Sequence, residues 1–293
     1  MTILLLDGHN LLFRSFTSLP RSIVDRQGEP INGLHGMLAA IIRLVRELEP
    51  HHVVAAFDVP ETPTFRHDLY PLYQAQRGPL GGEHADDFRR QTDLAVESLP
   101  RLGIPAITRP GYEADDVMGT VATRAAESGL HSILVSTDRD LLQLIRSGIE
   151  VLPPGRAASP IREPAEVQER LGVIPRYVPT FKALAGDASD NIPGVPGVGP
   201  KTAAGLIAEY GDLEDIYGHL EELPKRTAAA LATEREHAYL FRRLATIVTG
   251  LELPIRVDDL PPLELSGESR VGELLARLGY RNGTPGGTRT PGL

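Results

Sequence analysis

The chain has 293 residues, a formal charge of −9, 41% apolar and 24% charged content, the composition of a soluble globular protein with room for one large or two modest domains. It contains no cysteine, so disulfides, zinc–thiolate centres and thiol catalysis are excluded, and any metal must be held by oxygen or by histidine. Thr2–Leu6 is too short for a signal segment and no apolar run approaches a membrane span, which predicts a cytoplasmic protein with no membrane partner.

Taken in chain order, Ile3–Leu6 predicts a strand, Leu34–Leu48 a helix and Val53–Phe57 a second strand. Phe88–Leu102 predicts a helix, Ile104–Ile107 a short strand, Ala114–Ala126 a helix, and Ile133–Val135 and Ile149–Leu152 the last strands. Strands alternating with helices imply a parallel sheet covered on both faces. Pro60–Ala85 interrupts the alternation with Pro, Tyr, Arg, His and Gly, and an excursion of that length inside a compact domain is more often functional than idle. After Pro164 the chain reads as helices with Pro/Gly breaks, with Ile255–Val257 the one further strand candidate. Arg281–Leu293 has no apolar anchor and predicts a disordered tail.

Nine carboxylates fall where strands and turns should end: Asp7, Asp58, Glu113, Asp115, Asp116, Asp138, Asp140, Asp187 and Asp190. An acid that ends an apolar run is carried to the C-terminal edge of a parallel sheet, where α/β proteins place their ligands. So many anions on one edge require cations, which points to a polynuclear metal site. In GYEADDV, Glu113 and Asp116 share a helix face while Asp115 lies about 100° away. A helix dipole accounts for one or two acids there, but three in four positions repel. Asp138 and Asp140 in VSTDRD point the same way if extended, although either alone would serve as a helix cap. His9, beside Asp7, reads as a packing and hydrogen-bonding residue rather than a ligand.

GDASDNIPGVPGVGPKTAAGLI is not a P-loop, because Pro200 follows Gly199 and displaces Lys201 by one position. It reads as a turn between a helix ending at Phe181–Ala185 and one starting at Pro200. Gly194, Gly197 and Gly199 would let the backbone approach an anion, and Lys201 and Thr202 would add donors at the helix start, a hairpin that grips a nucleic-acid backbone without reading bases. In the excursion, Arg66, His67, Tyr70, Tyr73 and Arg77 interleave cations with aromatics, as suits single-stranded nucleic acid; Arg89 and Arg90 follow. The acidic net charge is weak evidence against such a partner, since bound divalent ions would offset the nine acids.

Together LLLDGHN, FRHDLYPLYQAQR, GYEADD, STDRD and GDASDNIPGVPGVGPKTA resemble the 5′-nuclease family, which includes the 5′–3′ exonuclease domain of bacterial DNA polymerase I, stand-alone bacterial relatives and flap endonucleases. The match runs from Ile3 to about residue 250, and with no polymerase domain following, the chain resembles a stand-alone member. The resemblance implies an α/β, PIN-like parallel-sheet nuclease core over 1–159, with a helical arch at about 60–92. A mostly helical DNA-binding region with a helix–three-turn–helix would follow over 160–260, then a C-terminal extension over 261–280 and the tail over 281–293. It implies two Mg²⁺, replaceable by Mn²⁺: Asp7, Asp58, Glu113 and Asp115 or Asp116 for the first, Asp138, Asp140, Asp187 and Asp190 for the second. It further implies DNA contacts by Arg66, Tyr73 and the Gly194–Thr202 hairpin, K⁺ on that hairpin's carbonyls, and monomeric action on DNA 5′ ends, flaps, nicks and RNA–DNA primer junctions. One departure stands out. The family's arch reads Tyr-Lys-x-x-Arg and its lysine reaches the scissile phosphate; here Gln74 follows Tyr73, while Arg77 is kept.

The leading expectation is a metal-dependent 5′–3′ exonuclease and flap endonuclease acting in replication and repair. The alternative is a DNA-junction binding protein whose catalysis is reduced by Gln74. A small RNase on a similar fold would need fewer acids and would lack the hairpin.

Overall fold

The computed structural model describes residues 1–59, 62–78, 80–155 and 158–263. The tail at 281–293 and all but the first three residues of the expected extension lie outside the described residues.

Five parallel strands, β1 (Thr2–Asp7), β2 (His52–Phe57), β3 (Ala106–Thr108), β4 (His131–Val135) and β5 (Ile149–Leu152), form one sheet in the order β3-β2-β1-β4-β5. Leu4 of β1 pairs with Val53 on one side and Ile133 on the other. β1 is central, and the chain returns past it to place β4, so a topological switch point lies between β1 and β4. Ile3, Leu4, Leu5 and Leu6 are all buried, because helices cover both faces and no side of the strand meets water.

On one face lie α1 (Gly8–Ser18), α2 (Asn32–Leu48) and α4 (Ala85–Ser98), burying Leu11, Leu12, Phe16, Leu34, Leu38 and Phe88 against Leu4, Leu6 and Phe57. Each fully buried Leu or Phe contributes about 1.5–3 kcal/mol relative to exposure. α1 is an element the sequence reading did not assign. It starts directly at the end of β1 because Asp7 caps it, accepting the Asn10 N–H at 3.0 Å. Gly8 is required at this turn, since a Cβ there would lie 2.4 Å from the Phe57 ring.

On the other face α5 (Ala114–Glu127) buries Val117, Met118, Val121, Ala122 and Ala125. That core continues without a break into the C-terminal helices α6 (Pro164–Leu171), α7 (Val178–Ala185), α8 (Pro200–Tyr210), α9 (Leu213–Gly218), α10 (Lys225–Thr233) and α11 (Arg235–Ala245). Val178, Leu184, Leu206, Leu213 and Leu231 belong to the same apolar cluster as α5, so the helical half packs as an extension of the sheet's core. Ile255–Val257 is not a strand: Val257–Asp259 is a short 3₁₀ turn, and Leu251, Val257 and Leu260 pack as irregular chain onto that cluster.

The excursion is partly helical. It holds α3 (Phe65–Leu69), a run of turns over 71–76 and a 3₁₀ turn at Gly82–His84 that leads into α4. Phe65 N–H bonds to the Gly111 carbonyl at 3.0 Å, and Tyr70 packs edge-on to Phe241 of α11. The base of the excursion is therefore anchored to both halves of the molecule.

Candidate metal centre and nucleic-acid interface

A single cleft at the C-terminal edge of the sheet is lined by Asp7, Asp58, Glu113, Asp115, Asp138, Asp140 and Asp190. The backbone delivers each of them. Asp7 ends β1, and its second oxygen accepts the Ser136 hydroxyl at 2.6 Å from just beyond β4. Asp58 follows β2 and accepts the Ala114 N–H at 2.7 Å, joining that strand end to the start of α5. Glu113 caps α5 in a reciprocal box with Asp116, and Asp138 accepts the Asp140 N–H at 2.8 Å, which shapes the turn after β4. His9 accepts the Asp58 N–H on Nδ1 at 3.1 Å and packs edge-on to Phe57, the packing and hydrogen-bonding role its position predicts.

Asp187 stands at the neighbouring end of the cleft, in the turn after α7 that the Asp187–Ile192 bridge closes. Carboxylate oxygens of Asp140, Asp187 and Asp190 all lie within 4.8 Å of one another, the one such ligand group among the described residues. Lys182, in the last turn of α7, places its ammonium against Asp140 and Asp187 and 3.9 Å from Asp190. The sequence reading missed Lys182. The available signal was a lysine near a helix C-terminus, five residues before Asp187.

The excursion closes down on this triad. Gln74 donates its amide to Asp190 Oδ1 at 2.9 Å and to the Tyr73 hydroxyl at 3.1 Å, and its own N–H meets the Asp190 carbonyl. Arg77 donates to the same Asp190 oxygen at 2.8 Å and to the Ser189 carbonyl at 2.9 Å. Gln76 reaches the Ala188 and Ser189 carbonyls, and Asn191 reaches the Leu72 carbonyl. Segments 72–77 and 187–191 thus form one interlocked wall of the cleft.

Four sequence-based assignments change. Asp116 is fully buried and both its oxygens are engaged, by Arg66 at 2.7 and 2.9 Å and by the Glu113 and Val248 N–H groups, so it is a structural anion rather than a free ligand. Arg66 is enclosed with it, and also bonds the Leu244 and Thr246 carbonyls, so it is not presented to DNA. Tyr73 is buried among Ala183, Ile192 and Phe241, with its hydroxyl 3.4 Å from Glu113, and offers no ring face for base stacking. Gly194 is also buried: a Cβ there would lie 2.4 Å from Gly186 N, so its glycine serves close packing inside the hairpin. Gly197 and Gly199 are exposed in the turn before α8, and Lys201 and Thr202 are exposed in its first turn.

The local field shows how crowded the acids are. Burial, together with Asp58 and Asp138, pushes the Asp7 carboxyl up to about 7 despite its bonds to Ser136 and Asn10. Burial, aided by Asp58 and Asp116, likewise raises Glu113 to about 7, and Asp115 stands well above the ordinary range for the same reasons. Asp187 goes the other way: Lys182 and the Ser189 donors outweigh its burial and hold it below the usual value. The donor set is all carboxylate oxygen, with a protein cation already seated among three of them, which fits hard divalent ions such as Mg²⁺ or Mn²⁺.

Family models match nearly the whole chain: the N-terminal resolvase-like domain of 5′-3′ exonucleases over residues 2–172 and their C-terminal SAM-fold domain over 173–268. The chain belongs to the 5′–3′ exonuclease family. It is 40% identical over 263 residues to DNA polymerase I of Mycobacterium bovis, covering 89% of this chain and 28% of that protein. It is 38% identical over 256 residues to the thermostable DNA polymerase I of Thermus thermophilus, with 87% and 29% covered. The chain therefore spans less than a third of these relatives. Among solved structures, T5 5′-exonuclease with bound divalent metal ions (zinc) shares the fold at a TM-score of 0.69 and 23% identity, over 85% of this chain and 90% of that one. Flap endonuclease-1 from Methanococcus jannaschii does so at 0.59 and 17%, over 95% and 87%.

Two measurements check this geometry. Arg66→Met leaves Asp116 buried without its partner and should cost about 3–5 kcal/mol in urea unfolding, equally with chelator and with Mg²⁺. A loss seen only with Mg²⁺ would return Asp116 to the ligand set. Asp7 titrates near 7 when folded against 3.8 in the open chain, so its contribution is present at low pH and lost as pH rises through about 7. In chelator, Asp7→Asn should therefore gain thermal stability over the parent as pH rises from 4 to 8; a gap that does not vary with pH contradicts the burial of this carboxylate.

Proposed function

We propose that the protein is a structure-specific, metal-dependent 5′–3′ exonuclease and flap endonuclease that hydrolyses DNA phosphodiester bonds in replication and repair. The observation that carries this reading is one cleft gathering carboxylates from four strand ends and the turn after α7, walled by the Gln74–Arg77 segment. A first Mg²⁺ would be held by Asp7, Asp58, Glu113 and Asp115, and a second by Asp138, Asp140, Asp187 and Asp190, with Mn²⁺ able to replace either. The pair would supply an activated water and neutralise charge on the phosphate and leaving oxygen. The chain's own residues do the rest. Ser136 and the Asn10 and Ala114 N–H groups orient Asp7 and Asp58, while Asp138 sets the backbone that presents Asp140. Arg77, about half exposed at the cleft wall, would meet a phosphate oxygen. Lys201 and Thr202 at the α8 start hold the duplex backbone, with K⁺ on the hairpin carbonyls. The substrates are DNA 5′ ends, flaps and nicks, with RNA–DNA primer junctions included, and the protein acts as a cytoplasmic monomer.

Incubation with a 5′-flap DNA should give cleavage in Mg²⁺ or Mn²⁺ and none in chelator. Asp138→Ala should abolish turnover and leave flap binding largely intact; undiminished cleavage by that variant would defeat the two-ion assignment.

Gln74 bears on the alternative, a junction-binding protein with reduced catalysis, because its amide meets Asp190 where the family carries a charged lysine. Gln74→Lys should raise single-turnover cleavage about tenfold with little change in affinity, since one charge-assisted contact is added mainly in the transition state. An inert Gln74→Lys beside a crippled Arg77→Ala would mean that Arg77 already provides this charge.

A further inference from the structure

Lys182 stands where the proposed second ion's ligands converge. Its ammonium touches Asp140 and Asp187 and lies 3.9 Å from Asp190, the same three residues whose oxygens cluster within 4.8 Å. It is no surface lysine that has drifted inward. Its side chain is 12% exposed, and it extends from the last turn of a helix whose Val178, Ala183 and Leu184 are buried, so its root cannot move. The remaining cations at this end of the cleft are differently placed. Arg77 meets Asp190 on Oδ1, whereas Lys182 approaches Oδ2, and Arg66 is engaged with Asp116 beneath α5. The triad thus has one neutralising group aimed at its centre, and a compact ammonium on a four-carbon stem can withdraw along the cleft as a guanidinium fork cannot.

We propose that Lys182 is a built-in competitor for the second divalent ion, holding Asp140, Asp187 and Asp190 together until that ion displaces it. Two cations cannot share three carboxylates at these distances without strong repulsion, because unit charges about 4 Å apart interact strongly at protein-like dielectric. Among the described residues, the first ion's ligands, Asp7, Asp58, Glu113 and Asp115, make no ion pair with Lys182, so the lysine bears chiefly on the second site. The two ions then differ in affinity through this one side chain: the first binds tightly, and the second binds weakly until displacing Lys182 is compensated, as when a substrate phosphate adds negative charge to the cleft. The same contacts give Lys182 a structural part in the ion-free protein, where it keeps the Asp187–Ile192 turn against the end of β4.

This inference rests on the two-ion reading, and counting bound ions separates the two. Free Mn²⁺ is followed by electron paramagnetic resonance while it is titrated into the parent protein, Lys182→Met and Lys182→Arg, without DNA. The parent should bind one ion tightly and a second weakly. Lys182→Met should tighten the second by about tenfold or more and leave the first unchanged, while Lys182→Arg, which keeps the charge, should stay close to the parent. Thermal melts give a second readout: in chelator Lys182→Met should melt lower than the parent, and saturating Mn²⁺ should raise its melting temperature by more. An unchanged second affinity in Lys182→Met, or a second ion bound by neither protein, overturns the competitor role. Failure of every variant to bind any Mn²⁺ overturns the metal reading itself and this inference with it.

Discussion

Mutual repulsion among carboxylates at one sheet edge is the constraint to which the rest of this molecule answers. A parallel sheet carries every strand end to the same side, and in this chain the strand ends and the following turns bear acids. Burial then raises Asp7 and Glu113 to about 7, because desolvation and neighbouring anions both disfavour the charged form. Such a site is not a stable arrangement of anions by itself. It becomes one by hydrogen bonds from Ser136 and main-chain N–H groups, by protons, or by cations.

Beside Arg77 at Asp190, Arg66 and Lys182 meet that demand in different ways. Arg66 is fully enclosed, forks Asp116 with two hydrogen bonds and caps the carbonyls of Leu244 and Thr246. It removes one carboxylate from the site permanently and uses it to tie α3, α5 and the end of α11 together. A planar fork with five donors suits that task. Lys182 is a point charge on a flexible stem at the cleft wall, and it neutralises three carboxylates without filling their coordination. The arginine makes part of the acidic cluster into architecture. The lysine leaves the rest available for ions.

The excursion between β2 and α4 connects this electrostatic centre to the surface. Its base is held by Phe65 and Arg66, and its middle is interlocked with the 187–191 turn through Gln74, Gln76, Arg77 and Asn191. Gln74 takes a left-handed conformation, φ +52°, to bring both its N–H and its side-chain amide onto Asp190. A substrate phosphate entering the cleft would therefore meet a wall whose polar groups are already engaged with Asp190 and the Ser189 carbonyl. The acidic triad and this wall meet at one carboxylate, Asp190.

Much of this was determined by the sequence alone. Apolar runs ending in acids marked the strands and the edge at which the site forms, because a strand's end and its last residue are local properties. The Pro/Gly pattern from Gly186 to Pro200 marked the hairpin for the same reason, and Lys201 and Thr202 fall on its exposed end as the helix-start rule requires. What the sequence could not rank was which charges remain available. Arg66 and Arg77 look alike in FRHDLYPLYQAQR, yet one is buried against an acid fifty residues away and the other stands at the cleft wall. Asp115 and Asp116 are adjacent, and only the side of α5 that faces Arg66 and Val248 decides that Asp116 belongs to the core. Helix α1 follows β1 without a connecting loop, with Asp7 both ending the strand and capping the helix. The place of Lys182 is likewise non-local, since it depends on α7 bringing its last turn against the end of β4. Composition and periodicity set the elements and gathered the acids; pairing across the chain, which only the tertiary structure decides, sorts them into those that hold the fold and those left for ions.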